Sequence, residues 1–136
     1  MADVLQLEIA TPERLLVHED ATEVYIPAAN GMIGILPQHA ALLSELGVGE
    51  LSFVTESGRQ TIFVAGGWVQ VLNNAVRVLA DRAENIGDID TARAEASLKR
   101  AQERLNAPSS AGVDVLRAIN SMKRAEARLA AARAPR

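Results

Sequence analysis

Residues 76–105 read VRVLADRAENIGDIDTARAEASLKRAQERL, and the spacing of their apolar side chains changes part-way along. Val76 and Val78 flank Arg77, a period of two that puts one face of a strand against a core and the other in solvent. Beyond Ile86 the apolar positions are Ala94, Leu98, Ala101 and Leu105, spaced by four, three and four, which is the stripe of an amphipathic helix. Asp88 or Asp90 stands where an N-cap is needed, since a short carboxylate can accept from a free amide of the first turn. The change of period predicts two units, a strand-built one over residues 1–85 and a helical one over 86–136.

Upstream of that junction the period of two recurs. Leu5, Leu7 and Ile9 alternate with Gln6 and Glu8. Further runs cover Thr22 to Ile26, Leu51 and Phe53, Thr61 to Ala65, and Trp68 to Leu72. Breaks fall at Pro12, Pro27, Asn30-Gly31, Gly47, Gly49, Ser57-Gly58, Gly66-Gly67 and Asn73-Asn74, residues that fix φ, allow positive φ or cap the chain locally. Many short strands with turn signals between them predict a β-sandwich or barrel. Hairpins turn near Glu56-Ser57-Gly58-Arg59 and at Asn73-Asn74. Phe53, Ile62, Val64, Trp68 and Val78 are the candidate core, and Gly66-Gly67 is read as a bend or bulge ahead of a strand.

Downstream, residues 106–112, NAPSSAG, form a breaker cluster. Asp114 can cap a second helix with Val115, Ile119, Met122 and Leu129 on one side. Two helices joined by a short loop make an antiparallel hairpin. Alanine gives the pair high helicity and a thin apolar stripe, so it should dock weakly. Arg93, Lys99, Arg100, Arg104, Arg117, Lys123, Arg124 and Arg128 coat the rest.

Charge divides at the same place as the period. The first 85 residues carry 11 acidic and 4 basic side chains, and the remaining 51 carry 6 and 10, which marks two surfaces of opposite sign. With no cysteine and only His18 and His39, thiolate chemistry, disulfides and zinc-ligand spacing are excluded and no catalytic constellation forms. No stretch reaches the roughly 18 apolar residues that span a bilayer. Gly31 and Gly34 lack the flanking pattern of a phosphate-binding loop and are read as tight turns. Four aromatics scattered in an acidic half give no stacking groove for nucleic acid. A small-molecule-binding sandwich would need clustered ligands that the sequence does not offer, and a generic adaptor with a helical hairpin is the closer alternative.

Two constellations stand out. In Gly31-Met32-Ile33-Gly34-Ile35-Leu36-Pro37-Gln38-His39, read as a loop, Pro37 restricts the backbone ahead of a polar ring, and Met32, Ile33, Ile35 and Leu36 supply an apolar contact surface. In the helical half, Ile89-Asp90-Thr91-Ala92-Arg93-Ala94 lies opposite Arg124 and Arg128, which are four apart and share a helix face. An acceptor beside several cations suits an adenine-bearing polyphosphate, and it equally suits a solvated salt-bridge lattice or a protein contact.

In order and spacing, the segment from Gly31 to Leu43, Val64-Ala65-Gly66-Gly67, Val78-Leu79-Ala80-Asp81 and Asp88 to Ala94 resemble the epsilon subunit family of bacterial F-type ATP synthase over essentially the whole chain. The resemblance implies a ten-stranded sandwich followed by a helical hairpin, in a non-catalytic rotor subunit. Such a sandwich binds the gamma subunit and rests on the c-ring, coupling proton-driven ring rotation to ATP synthesis. Gly31, Met32, Gly34 and His39 are the implied contact positions. Relatives can carry an acidic residue where Met32 stands, so an apolar contact is expected there. The hairpin resembles an element that lies folded or extends toward the alpha and beta subunits and inhibits ATP hydrolysis. Some relatives hold the folded form with ATP, and Ile89, Asp90, Arg93, Arg124 and Arg128 match the residues they use. No cofactor is required, regulatory ATP being the one ligand implied. The implied location is peripheral, on the cytoplasmic face of the bacterial inner membrane.

Overall fold

The computed structural model describes residues 4–106 and 115–133. Eight strands run in order: β1 (Leu5–Ala10), β2 (Leu15–Ala21), β3 (Glu23–Ala28), β4 (Gly31–Ile35), β5 (Leu42–Glu45), β6 (Val48–Thr55), β7 (Gly58–Leu72) and β8 (Ala75–Asn85). A single 3₁₀ turn at Ile86–Asp88 leads into α1 (Thr91–Leu105), and α2 spans Val115–Arg133. Residues up to Asn85 and residues from Ile86 form two compact units.

Two long strands build the sandwich. β7 pairs with β6 from Gly58 to Ala65 and with β5 from Trp68 to Val71. β8 stays antiparallel to β7 throughout, while β1 joins it in parallel only over Ala75–Leu79. One layer is therefore β2-β1-β8-β7-β5 and the other β8-β7-β6-β3-β4, with β7 and β8 running through both. The resemblance implies ten strands, and eight continuous ones are present among the described residues. The two counts meet because each layer has five members and two strands serve twice.

The crossing point is Gly66–Gly67, at φ +73 and +119. Both angles lie in the region that L side chains avoid. A Cβ on Gly67 would run into the Leu79 carbonyl oxygen and come within 2.9 Å of Ala80 Cα, and one on Gly66 would lie 2.7 Å from Asp81 Oδ2. The two strands approach here as only glycine permits. The bend also reverses which side chains face inward. Ile62 and Val64 point into the core before it, Val69 and Val71 after it, and on β8 the inward set passes from Val76, Val78 and Ala80 to Ala83.

That reversal corrects the core list. Phe53, Ile62, Val64 and Val78 are buried as expected, whereas Trp68 is 54% exposed. Continuing the pre-bend alternation through 62 and 64 leads to 68. The double glycine shifts it to 69. Leu5, Leu7, Ile9, Val24, Ile26, Ile35 and Leu51 complete a core drawn from both layers. The hairpins turn at Glu56–Ser57 and at Asn73–Asn74, the latter with both residues left-handed at φ 49 and 63, the geometry of a type I′ turn that matches strand twist.

Three strands escaped the sequence reading: β2, β4 and β5. Residues 31–35, read as a loop, are an edge strand paired only to β3 among the described residues. Their two glycines mask strand propensity.

In the helical unit Asp90 is the N-cap of α1, its Oδ1 accepting from the Arg93 amide at 2.9 Å. Asp88 belongs to the 3₁₀ turn instead. Ser97 Oγ lies 3.4 Å from Ser121 Oγ, and Arg133 Nη2 donates to Glu95 Oε1 at 2.9 Å. The start of α1 thus meets the end of α2, an antiparallel pair. Alanines fill the centre of the seam: Ala94 and Ala101 from α1, Ala118 and Ala125 from α2, with Leu129 beside them. Leu98, Leu105, Ile119 and Met122 are half-buried at its margins, and Val115 is exposed, so the stripe is narrower than expected. The breaker cluster beyond Asn106 and the Asp114 cap lie outside the described residues.

Candidate functional site

On the outer face of the β2-β1-β8-β7-β5 layer, two rows of side chains cross the strands. In one row Glu45 stands opposite Trp68, Trp68 opposite Leu79, and Leu79 opposite Ala10. In the next, Leu43 faces Gln70, Gln70 faces Arg77, Arg77 faces Glu8 and Glu8 faces His18. The second row is polar over most of its length. Arg77 Nε is 3.7 Å from Glu8 Oε2, and His18 Nε2 is 3.8 Å from Glu8 Oε1. The first row is apolar at its centre, and with Leu43 it leaves three large side chains in solvent: Leu43 at 70%, Trp68 at 54% and Leu79 at 61%. Single exposed apolar residues are ordinary, but a cross-strand tryptophan and leucine rimmed by charges form a patch of the kind that partners cover.

Sequence reasoning passed over this patch because it placed Trp68 inside. A signal was present. Gln70 shares the parity of Trp68 and Leu72, and Arg77 that of Leu79, so one polar residue on each strand already marks the outward face.

The first predicted constellation spreads along the edge strand. Gly31, Met32 and Gly34 lie on β4, and His39 lies in the turn that follows its far end. Met32 is 62% exposed and Leu36 is exposed as well. A Cβ on Gly34 would touch Tyr25 Cε1 at 3.3 Å, so this glycine leaves room for the Tyr25 ring, over which Arg59 sits 5.5 Å from the centroid. His39 is partly buried, and its Nδ1 lies 2.7 Å from the Ala40 carbonyl oxygen. A carbonyl oxygen only accepts, so Nδ1 is the donor of this contact.

The second constellation lies in the helical unit, with Ile89, Asp90 and Arg93 at the start of α1, Arg124 at the middle of α2 and Arg128 one turn further on. Ile89 is buried, Asp90 is engaged as the cap, Arg93 is exposed, and Arg124 and Arg128 are half-buried on α2. Arg124 also lines an open groove of about 270 Å³ with Leu116, Arg117 and Asn120. Asp90 thus has a structural duty whatever else it does, and one of its oxygens is committed to it. Among the described residues no group of acidic, histidine or cysteine side chains is arranged to hold a metal ion, and no helix is long and apolar enough to cross a membrane.

Residues 4–86 match the family described as ATP synthase, Delta/Epsilon chain, beta-sandwich domain, and residues 88–133 match its long alpha-helix domain. The chain belongs to the ATP synthase delta/epsilon chain family. The ATP synthase epsilon chain of Solibacter usitatus is 52% identical over 107 residues, 78% of this chain and 80% of that one. That of Koribacter versatilis is 43% identical over 77% of this chain and 74% of its own. Among solved structures, a chain of the mitochondrial ATP synthase of Euglena gracilis superposes with a TM-score of 0.84 at 20% identity, covering 96% of this chain and 82% of that one, a likeness of fold. As a member of this family the chain is a non-catalytic subunit of the central stalk of ATP synthase.

Proposed function

We propose that the unit of residues 1–85 docks on the gamma subunit through the face bearing Leu43, Trp68 and Leu79, and meets the c-ring through Gly31, Met32, Gly34 and His39. Residues 86–136 are the regulatory unit. The observation that carries this reading is the exposure of Trp68 and Leu79 as direct cross-strand neighbours. A tryptophan held on a rigid sheet supplies large contact area at little entropic cost, the usual anchor of a protein interface. The rotor then couples proton-driven ring rotation to ATP synthesis while this subunit fastens ring to stalk. By this reading it works on the cytoplasmic face of the bacterial inner membrane, held there through the complex.

The hairpin acts as a brake. Its alanine seam buries small side chains, so separating the helices gives up little apolar area. Its basic surface, once extended, faces the alpha and beta subunits. ATP favours the folded form only to the extent that the extended form binds it less tightly, and Ile89, Asp90, Arg93, Arg124 and Arg128 are the residues proposed to hold it.

Reconstitution separates these roles. Complexes stripped of the subunit are supplemented with the full chain or with a chain ending at Asn85. Both restore proton-coupled synthesis. Only the full chain slows ATP hydrolysis, by about fivefold or more, the scale of a 1 kcal/mol population shift. Equal hydrolysis rates with the two chains rule out the brake. Titration calorimetry of the isolated full chain with millimolar ATP gives heat that Arg124→Ala and Arg128→Ala abolish, and a flat titration removes ATP from the scheme.

A further inference from the structure

Gln38 is one of three non-glycine residues with positive φ among the described residues, at 70°. It occupies the third position of a turn in which the His39 amide donates to the Leu36 carbonyl at 3.1 Å, with Pro37 at the second. That arrangement and a positive φ at the third position define a type II turn, where glycine is the favoured residue. The other two such residues are Asn73 and Asn74, and Asn74 touches this turn. The Gln38 amide donates to Asn74 Oδ1 at 2.6 Å, across 36 positions of sequence. The main-chain oxygen of Asn74 meanwhile accepts from the Gln6 amide at 2.7 Å. One residue, itself left-handed, thus ties the start of β1, the β7–β8 turn and the loop after β4 together.

We infer that Asn74 is a positioning residue for the contact loop: by holding Gln38 in its left-handed conformation it presents Leu36 and His39 to the partner as a preformed surface. The inference rests on the reading of this loop as a contact element. Within the turn, Leu36 and Gln38 are exposed. The hydrogen bond to Asn74 is what opposes the cost of a non-glycine left-handed residue, and a loop ordered before binding avoids that ordering cost at the moment of contact. Asn74 touches no partner in this scheme and acts only through Gln38.

The test uses the full chain and complexes stripped of the subunit. Asn74→Gly keeps the left-handed turn and deletes the acceptor, and Asn74→Asp keeps both. Amide exchange followed by NMR is expected to quicken at Gln38 by about fivefold in Asn74→Gly, the scale of one net hydrogen bond. Exchange at Gln6 stays as in the parent chain, because its acceptor is backbone. Affinity for the stripped complex falls about fivefold in Asn74→Gly and returns in Asn74→Asp. Unchanged Gln38 exchange, or faster exchange with undiminished affinity, overturns the inference. Leu36→Glu reports separately on the underlying reading: if it leaves affinity intact, the loop is not a contact element. Weakening by Leu36→Glu alone removes the positioning role and keeps the contact.

Discussion

Trp68→Lys is expected to weaken binding to the gamma subunit by about a hundredfold while leaving the sandwich folded. The magnitude follows from interface energetics, where truncating a central tryptophan costs about 3 kcal/mol, and 1.4 kcal/mol is a factor of ten. Lysine is chosen because Glu45 stands directly across on β5. An opposite charge in that position supports the strand pair, whereas a carboxylate would repel its neighbour. The core is untouched, since Trp68 projects away from Val69 and Val71, and the melting temperature of the isolated chain should move by only a few degrees. Surface plasmon resonance with immobilised gamma subunit measures the affinity. Leu79→Lys should act in the same direction, and Glu8→Gln in the polar row should change binding less than threefold. Parent-like affinity in Trp68→Lys would mean that the stalk grips another face.

Gly67→Ala is expected to destabilise the strand unit by about 4 kcal/mol. Two costs combine: a Cβ driven into the Leu79 carbonyl and Ala80 Cα, and a side chain at φ +119. Each is worth roughly 1–3 kcal/mol. For a unit of this size that lowers the melting midpoint by about 20 °C. Gly58→Ala is the control. It too has a positive φ, at +108, but nothing lies within 4 Å of its would-be Cβ, so only the conformational cost of about 1–2 kcal/mol applies. Calorimetric melts of the two variants decide the matter, and equal losses would show that close approach of β7 and β8 is not what demands glycine at 67.

The junction near Asn85 was legible because two independent signals, apolar period and charge, change there together. The Asp90 cap and both hairpin turns were legible for a similar reason, since each depends on local chemistry. Trp68 was not. Its orientation is set by a reversal of parity two residues earlier, and a run of alternating residues carries no mark of which phase it occupies until something outside it fixes the register. Gly66-Gly67 was read correctly as a bend, but what a bend does to the phase beyond it follows only from the strands on either side. β4 was hidden by its glycines, although the resemblance pointed to the same residues as a contact surface. The alanine seam of the hairpin was visible in composition. The partners of each alanine were not, because small residues recur on every face of both helices.

Two unbroken chain segments thread both layers of the sandwich, and this bears on how the subunit withstands mechanical work. In an ordinary two-sheet fold, a push on one sheet reaches the other through side-chain packing alone, which yields by sliding. Here part of any such load passes along the peptide backbone of β7 and β8 through the glycine bend, and along the ladder of hydrogen bonds that joins them side by side. Resistance to shear is therefore covalent at its centre, a fitting property for a part that is turned.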